Sequence, residues 1–159
     1  MLGNLLIEGI PAYKNYTNMP GYDLVATIPD ENTSARIQIK SRWATKSTQF
    51  LIKNFDCDFV VIVKLNRGSK DGTAAVLPPE FYVLPIAVMK KVPRTKAWGR
   101  VAFRDIPKLE SYRQKWQLIR DFLKGKKKKS KRKRRKNDKH WVGVAAVFQP
   151  PDICNSKVR

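Results

Sequence analysis

The sequence predicts an α/β or α+β domain, with a mixed central β-sheet flanked by helices. Residues Ala35–Lys40 alternate between apolar and polar side chains, which is the pattern of a strand with two different faces. Asp58–Leu65 is almost continuously apolar, as expected of a strand that is covered on both faces. Tyr112–Leu123 carries an apolar stripe at spacings of four, three and four residues, which predicts a helix. Strands that lie close together in the sequence between helices favour a mixed sheet.

The remaining elements follow from turn and strand signals along the chain. Leu2–Ile10 is a compact apolar stretch that predicts the end of a helix, which runs into a strand near Ala12–Asn15. Tyr22–Ile28 is rich in strand-forming residues, and the turn cluster Pro29–Thr33 joins it to Ala35–Lys40 as a hairpin. Shorter elements are expected further along: strands at Phe50–Lys53 and Phe81–Pro85, a helix or turn at Ile86–Lys91, and a basic loop at Lys90–Gly99.

The charge of the chain points to an anionic partner. The 159 residues have a formal net charge of +20. The run from Lys124 to Lys139 holds 12 Lys or Arg and one acid, yet residues 1–123 still carry 19 basic and 11 acidic residues. We therefore expect a domain at 1–123, a basic low-complexity segment at 124–140 without fixed structure, and a short tail at 141–159. Nucleic acid is the commonest partner of such a basic chain.

The cysteine and histidine content excludes a zinc site. Cys57 and Cys154 are far apart, and His140 is the single histidine. Free thiols are typical of a reducing compartment, so a cytoplasmic location is expected. No apolar stretch approaches the roughly 20 residues that span a membrane. Leu2–Ile10 is too short for a signal peptide and lacks a basic leader, so neither secretion nor a membrane partner is expected.

The hairpin brings an acid, an amide and a lysine together. If its turn is centred between Glu31 and Asn32, Asp23 lies directly opposite Lys40, and Gln38 shares their face because side chains alternate along a strand. The apolar side chains of this hairpin are then expected on the opposite face: Tyr22, Leu24, Ile37 and Ile39.

Two interpretations of this cluster stand. The first is a cross-strand ion pair between Asp23 and Lys40 on a solvated face, which contributes little stability. The second is a site for Mg²⁺ or Mn²⁺, since these hard ions prefer carboxylate and carbonyl oxygens. In that case Asp23, the amide oxygen of Gln38 and the backbone carbonyl of Ile39 are the expected ligands. Lys40 would then help to activate a water molecule or stabilise charge on a phosphorane.

The order of several segments resembles the PD-(D/E)XK nuclease superfamily, and in particular small domains that are similar to Holliday-junction resolvases and restriction-endonuclease cores. The resemblance covers residues 1–123 and is carried by Gly21-Tyr22-Asp23-Leu24, Ile37-Gln38-Ile39-Lys40, the run from Phe55 to Val63, Phe81-Tyr82-Val83-Leu84-Pro85, and the Tyr112-Arg113…Trp116…Ile119 helix. It implies a restriction-endonuclease-like mixed sheet and metal-dependent endonuclease activity on DNA rather than RNA. The resemblance also suggests a homodimer as the assembly to test.

The same resemblance assigns roles to the hairpin residues. Asp23 matches the first metal-binding acid and Lys40 the catalytic lysine. Gln38 matches the second position, which is Glu or Asp in many members and Gln in some. A glutamine here lowers the negative charge of the site and is expected to weaken metal binding. Glu8 lies later than the glutamate that many members carry on the first helix, so it is not assigned to the site.

Further residues are candidates for nucleic-acid contact. Four cations near the hairpin are expected to line a groove, or else to form a solvated edge: Arg36, Arg42, Lys46 and Lys53. In the basic segment the candidates are Lys126, Lys127, Arg132, Arg134 and Arg135, which suit non-specific, salt-dependent phosphate binding. Trp43 and Trp98 either stack on bases or pack against the domain. The alternatives to an endonuclease are a non-catalytic nucleic-acid-binding protein with this fold and a domain that only binds a protein partner.

Overall fold

A five-stranded mixed sheet forms the centre of the domain. The computed structural model of the protein describes residues 1–15, 21–96 and 98–125. The strand order is β1-β2-β3-β5-β6, in which β3 and β5 are parallel and the other neighbours are antiparallel. The predicted mixed α+β architecture is therefore confirmed. The strands are β1 at Ala12–Lys14, β2 at Leu24–Ile28, β3 at Thr33–Arg42, β5 at Phe59–Lys64 and β6 at Glu80–Pro85.

A second, two-stranded sheet packs on one side of the central sheet. It pairs β4, at Gln49–Leu51, with β7, at Arg100–Ala102, in antiparallel fashion. The sequence predicted β4, but placed no strand at β7. A strand of three residues leaves too short an alternating pattern to be recognised, and its partner lies about 50 residues away along the chain.

Helices pack on both sides of the central sheet, and the short helix that follows β6 lies on the side of the small sheet. Helix α1 spans Leu2–Ile7, a short helix α2 spans Ile86–Met89, and helix α3 covers 117–125. Helix α1 ends early because the N–H groups of Gly9 and Ile10 bond back to the carbonyls of Leu6 and Leu5, at 2.9 and 2.8 Å. Among the described residues, no helix is long and apolar enough to cross a membrane.

Two apolar clusters lie on the two faces of the sheet and account for the continuous burial of β5. The first cluster includes Ile37, Val61 and Leu5 with the α3 residues Ile119 and Leu123. The second cluster, on the face of the small sheet, is formed by other residues: Phe50, Ile52, Val60, Ile62, Tyr82, Leu84 and Val101. Because successive residues of β5 contribute to opposite clusters, Phe59–Val63 is buried throughout.

The last helix begins later than the stripe from Tyr112 predicts. A 3-10 turn covers Leu109–Tyr112, Arg113 is extended and forms a β-bridge with Tyr82, and Gln114 has a φ of 50°. These conformations prevent an α-helix from starting before residue 117. Trp116 nevertheless joins the first cluster, as the stripe predicts. The basic segment 124–140 lies outside the described residues from 126 onward, and so do the tail 141–159, His140 and Cys154.

Candidate active site

The hairpin register differs from the predicted one by two residues. Leu24 pairs with Ile37, and continuing this register by one residue places Asp23 opposite Gln38 rather than Lys40. The predicted register was wrong because Pro29–Glu31 forms a 3-10 turn that Asn32 closes in the left-handed conformation, with φ at 49°. A slip of two residues preserves the alternation of faces along β3, so Gln38 and Lys40 share one face. Asp23 precedes β2, which begins at Leu24, and is positioned instead by its own hydrogen bonds to β3.

That face is the one on which the small sheet packs. Gln38 and Lys40 pair in register with Val60 and Ile62 of β5, and both of these belong to the second cluster. Ile37 lies on the opposite face, as expected. Tyr22 was placed on the wrong face: it packs against the second cluster, because it precedes β2 and strand alternation does not extend to it.

The Asp23 carboxylate is held by the backbone of β3. Its Oδ2 accepts a hydrogen bond from the N–H of Ile39, at 2.6 Å. Asp23 itself donates its backbone N–H to the carbonyl of Ile37, at 2.8 Å. A charge-assisted bond of this kind fixes the carboxylate at the open edge of β3. Among the described residues, Asp23 and Lys40 form no ion pair within 4.0 Å, so the cross-strand ion pair is not the arrangement that the structure adopts.

Gln38 places an unsatisfied oxygen inside the protein. Its residue surface is only 7% exposed, and its Oε1 atom has no hydrogen-bond partner among the described residues. Leaving a buried carbonyl oxygen unpaired typically costs about 1–3 kcal/mol. An amide oxygen in this position is a ready acceptor for a cation or for a water bound to one.

The Ile39 carbonyl opens at the same edge of β3. The bond from Asp23 to the Ile37 carbonyl shows that the odd-numbered peptide groups of β3 point toward β2. Strand β2 begins only at Leu24, so the peptide group of Ile39 extends past its start. The N–H of this residue is bonded to Asp23, and its carbonyl points in the same direction.

Lys40 is partly buried and lies two residues beyond Gln38 on the same face. In the part of the chain that the structure describes, its ammonium group forms no ion pair. A lysine that is neither neutralised nor fully solvated can direct its charge at an incoming anion.

The local donor set determines what a metal would find here. Among the described residues, no three Asp, Glu, His or Cys side chains come together. A divalent ion at this edge would therefore be held by one carboxylate and by neutral oxygens. Glu8 does not contribute, since its carboxylate pairs with Arg120 at 2.8 Å.

Two of the predicted nucleic-acid contacts are already bound within the protein. The Arg36 guanidinium lies 2.5 Å from the Asp56 carboxylate and 3.6 Å from that of Asp58. Arg42 donates its Nε–H to the carbonyl of Gln49, at 2.6 Å, and so ties β3 to β4. Lys46 and Lys53 are exposed. Neither arginine is therefore a free cation beside Asp23. The five candidates from Lys126 to Arg135 lie outside the described residues.

Sequence reasoning missed a second group of cations beside Lys53. Arg94 and Lys96 lie in the loop before β7 and Arg100 begins that strand, and pockets of about 460 and 350 Å³ open beside these residues. The available signal was the basic loop at Lys90–Gly99 with its tryptophan. Lys64 was also missed, and it lies 4.9 Å from the ring centre of Tyr82 and 3.8 Å from Glu80.

Cys57 is buried beside the Gln38 backbone, and its environment makes it a poor nucleophile. Burial, followed by the nearby charge of Asp58, raises the pKa of the Cys57 thiol from 9.0 to about 11.

Only a thiolate attacks alkylating reagents. We expect Cys57 in the folded protein to react with iodoacetamide at pH 8 about 100-fold more slowly than in the unfolded chain, from the thiolate fraction alone. Peptide mapping by mass spectrometry identifies the site, and equal rates in both states would contradict this expectation.

Comparisons with known proteins give a likeness to solved structures. No family model and no curated protein matches the chain. Among solved structures, the chain is similar to a bacterial homing endonuclease, I-Ssp6803I. The two are 22% identical, the match covers 82% of this chain and 88% of that chain, and the TM-score is 0.49. At this identity and TM-score, the likeness does not assign an activity to this chain.

Proposed function

We propose that the protein is a metal-dependent endonuclease domain of PD-(D/E)XK type that hydrolyses phosphodiester bonds in DNA. The observation that carries the proposal is the buried Oε1 of Gln38, which has no hydrogen-bond partner among the described residues. The Asp23 carboxylate is anchored on the next residue of β3, Ile39, and Lys40 shares the face of Gln38. Buried polar atoms are nearly always paired, and a bound metal ion is one partner that would satisfy this amide oxygen.

In this proposal Asp23, the Gln38 amide and the Ile39 carbonyl hold Mg²⁺ or Mn²⁺. These are the oxygen donors that such ions prefer. When bound, the ion supplies Lewis acidity and lowers the pKa of a coordinated water. The Ile39 N–H keeps the Asp23 carboxylate oriented, so the ligand does not have to be reorganised during the reaction.

Lys40 provides the positive charge that the hydrolysis requires. Attack on the phosphate places an additional negative charge on the nonbridging oxygens in the transition state. The Lys40 ammonium stabilises this charge and orients the attacking water, which it can do because no carboxylate among the described residues neutralises it. The Gln38 side chain contributes as a neutral ligand, so the site carries a single negative charge.

Removal of divalent metal tests the proposal directly. Supercoiled plasmid DNA is incubated with the full chain in Mg²⁺ or Mn²⁺, and nicked and linear products are followed on a gel. We expect cleavage that stops in excess EDTA and returns when Mg²⁺ is restored above the chelator concentration, because the attacking water depends on the ion. Cleavage that continues in EDTA would contradict the proposal.

The same assay separates the proposal from a non-catalytic function. Tight DNA binding in Mg²⁺ and in Mn²⁺, without product on plasmid or branched DNA, would favour a nucleic-acid-binding protein that keeps the fold. The variant Asp30→Asn is the matched control for changes at Asp23, since Asp30 is an exposed carboxylate in the turn of the same hairpin.

A further inference from the structure

A basic pocket lies at the end of the small sheet, and none of the residues that line it is one to which the proposed chemistry is assigned. It has a volume of about 460 Å³. Three of the residues that line it are cations, and none of the lining residues that the structure describes is acidic. A concave surface with only positive charge selects an anion. The residues that line it are Lys53, Arg94, Thr95, Lys96, Trp98 and Gly99.

The pocket is built by defined contacts. The Arg94 guanidinium lies over the ring of Phe55, 4.4 Å from its centre, and donates to the carbonyl of Lys53 at 3.2 Å. The N–H of Ile52 donates to the carbonyl of Gly99 at 2.8 Å, which continues the pairing of β4 and β7. Gly99 has a φ of 63°, and a Cβ atom there would collide with the Ile52 carbonyl. Because the backbone is fixed in this way, Arg94 is held in place before any ligand arrives.

Trp98 presents an unpaired aromatic surface beside these cations. Its residue surface is 63% exposed, so most of the indole is open to solvent and it is not a core residue. The two lysines, the arginine and the tryptophan that meet here suit the two parts of a nucleotide. Ammonium and guanidinium groups bind a phosphate, and an indole stacks on a base.

The pocket is connected to the proposed active site by one short segment. Residues 53–56 supply Lys53 to the pocket and Phe55 to Arg94. At the other end of this segment, Asp56 and Asn54 lie against Gly21, two residues before Asp23, so closely that a Cβ on Gly21 would be 2.8 Å from the Cβ of Asp56. The same segment therefore supports both the Asp23 loop and the pocket.

We propose that this pocket binds one unpaired nucleotide of a DNA strand, at a position outside the bond that is cut. The phosphate is bound by Lys53, Arg94 and Lys96, and the base stacks on Trp98. The inference rests on the proposed nuclease function for its substrate, DNA, but not for its test, which measures binding in the absence of cleavage.

Binding is measured with the full chain and a fluorescein-labelled single-stranded DNA oligonucleotide in EDTA, by fluorescence anisotropy. We expect Trp98→Ala to weaken binding about tenfold, since stacking on a base is lost, and Trp98→Phe to retain most of the affinity. Tyr13→Ala is the aromatic control, because Tyr13 is 58% exposed on the edge strand β1. It is expected to bind as the wild type does.

The phosphate contacts are tested by the salt dependence of the same binding. Each phosphate contact that is lost lowers the slope of log affinity against log salt by roughly 0.7 for single strands. The double variant Lys53→Ala/Lys96→Ala is therefore expected to lower that slope by about 1.4. Lys115→Ala, which removes an exposed cation next to helix α3, is the charge control. It is expected to lower the slope by less than half of what the double variant does.

Photocrosslinking locates the base. An oligonucleotide that contains 5-iodouracil is irradiated with the wild type, and the adduct is mapped by mass spectrometry, with Trp98 as the expected site.

Wild-type affinity in all pocket variants, or adducts confined to other aromatic residues, would overturn the inference. If the protein binds through this pocket but never cuts DNA, the proposed nuclease function fails and the pocket stands. If it cuts DNA while the pocket variants bind normally, the proposed nuclease function stands and the pocket inference fails.

Discussion

Asp23→Asn is expected to lower the rate of plasmid cleavage by about 100- to 1000-fold, with little change in the fold. Loss of the carboxylate charge removes several kcal/mol of transition-state stabilisation, and about 1.4 kcal/mol corresponds to a factor of ten in rate. The amide oxygen of asparagine can still accept the hydrogen bond from the Ile39 N–H, so the edge of β3 stays capped. The initial rate in saturating Mg²⁺ is the measurement, and unchanged circular dichroism and melting temperature check the fold.

The matched control and a second variant sharpen this result. Asp30→Asn removes the same charge from the exposed turn of the hairpin and is expected to cut as the wild type does. Lys40→Ala leaves the oxygen donors intact, so it is expected to reduce the maximum rate without changing the Mg²⁺ concentration that gives half of it. Wild-type cleavage by Asp23→Asn, or by Lys40→Ala, would remove that residue from the proposed site.

The shared face of Gln38 and Lys40 was predictable because it depends on parity alone. Side chains alternate along β3, so these two residues share a face in any register. The partner of Asp23 was not predictable in the same way. It depends on how many residues the turn contains. The 3-10 turn at Pro29–Glu31, with Asn32 in the left-handed conformation, contains two residues fewer than the turn that the predicted register requires. The bond from the Ile39 N–H to Asp23 therefore emerged only with the structure.

The basic pocket was out of reach for a different reason. Its walls come from Lys53, which follows β4, and from the loop before β7, and the pairing of β4 with β7 is not signalled by either short strand. Charge and an aromatic residue in Lys90–Gly99 indicated a candidate surface, but the sequence could not place it beside Lys53. Burial was predicted better: the continuous apolar run of β5 and the stripe through Trp116, Ile119 and Leu123 both lie in the core. Apolar pattern reports burial directly, whereas contacts between distant segments depend on the whole topology.

Gln38→Glu is expected to make the stability of the protein depend strongly on Mg²⁺. Gln38 is 7% exposed, so a carboxylate there is desolvated and its pKa is raised above that of glutamate in the unfolded chain. A carboxyl group whose pKa is raised on folding destabilises the folded state once the pH exceeds its unfolded pKa, which is about 4.3. At pH 7, without metal, we expect the free energy of unfolding to fall by about 1–4 kcal/mol relative to the wild type.

Bound Mg²⁺ reverses this loss if Gln38 is a ligand. A second carboxylate raises the affinity of the site for the ion, and an ion that binds only the folded state increases its stability as the ratio of ion concentration to Kd grows. The melting temperature of Gln38→Glu is therefore expected to rise with Mg²⁺ by more than that of the wild type. This difference in the Mg²⁺ response is expected to be smaller at pH 4, where the carboxyl group is mostly protonated in both states. Gln49→Glu, at an exposed position of β4, is the control and is expected to respond as the wild type does. Equal Mg²⁺ responses in all three proteins would place the ion away from Gln38, whatever the cleavage assay shows.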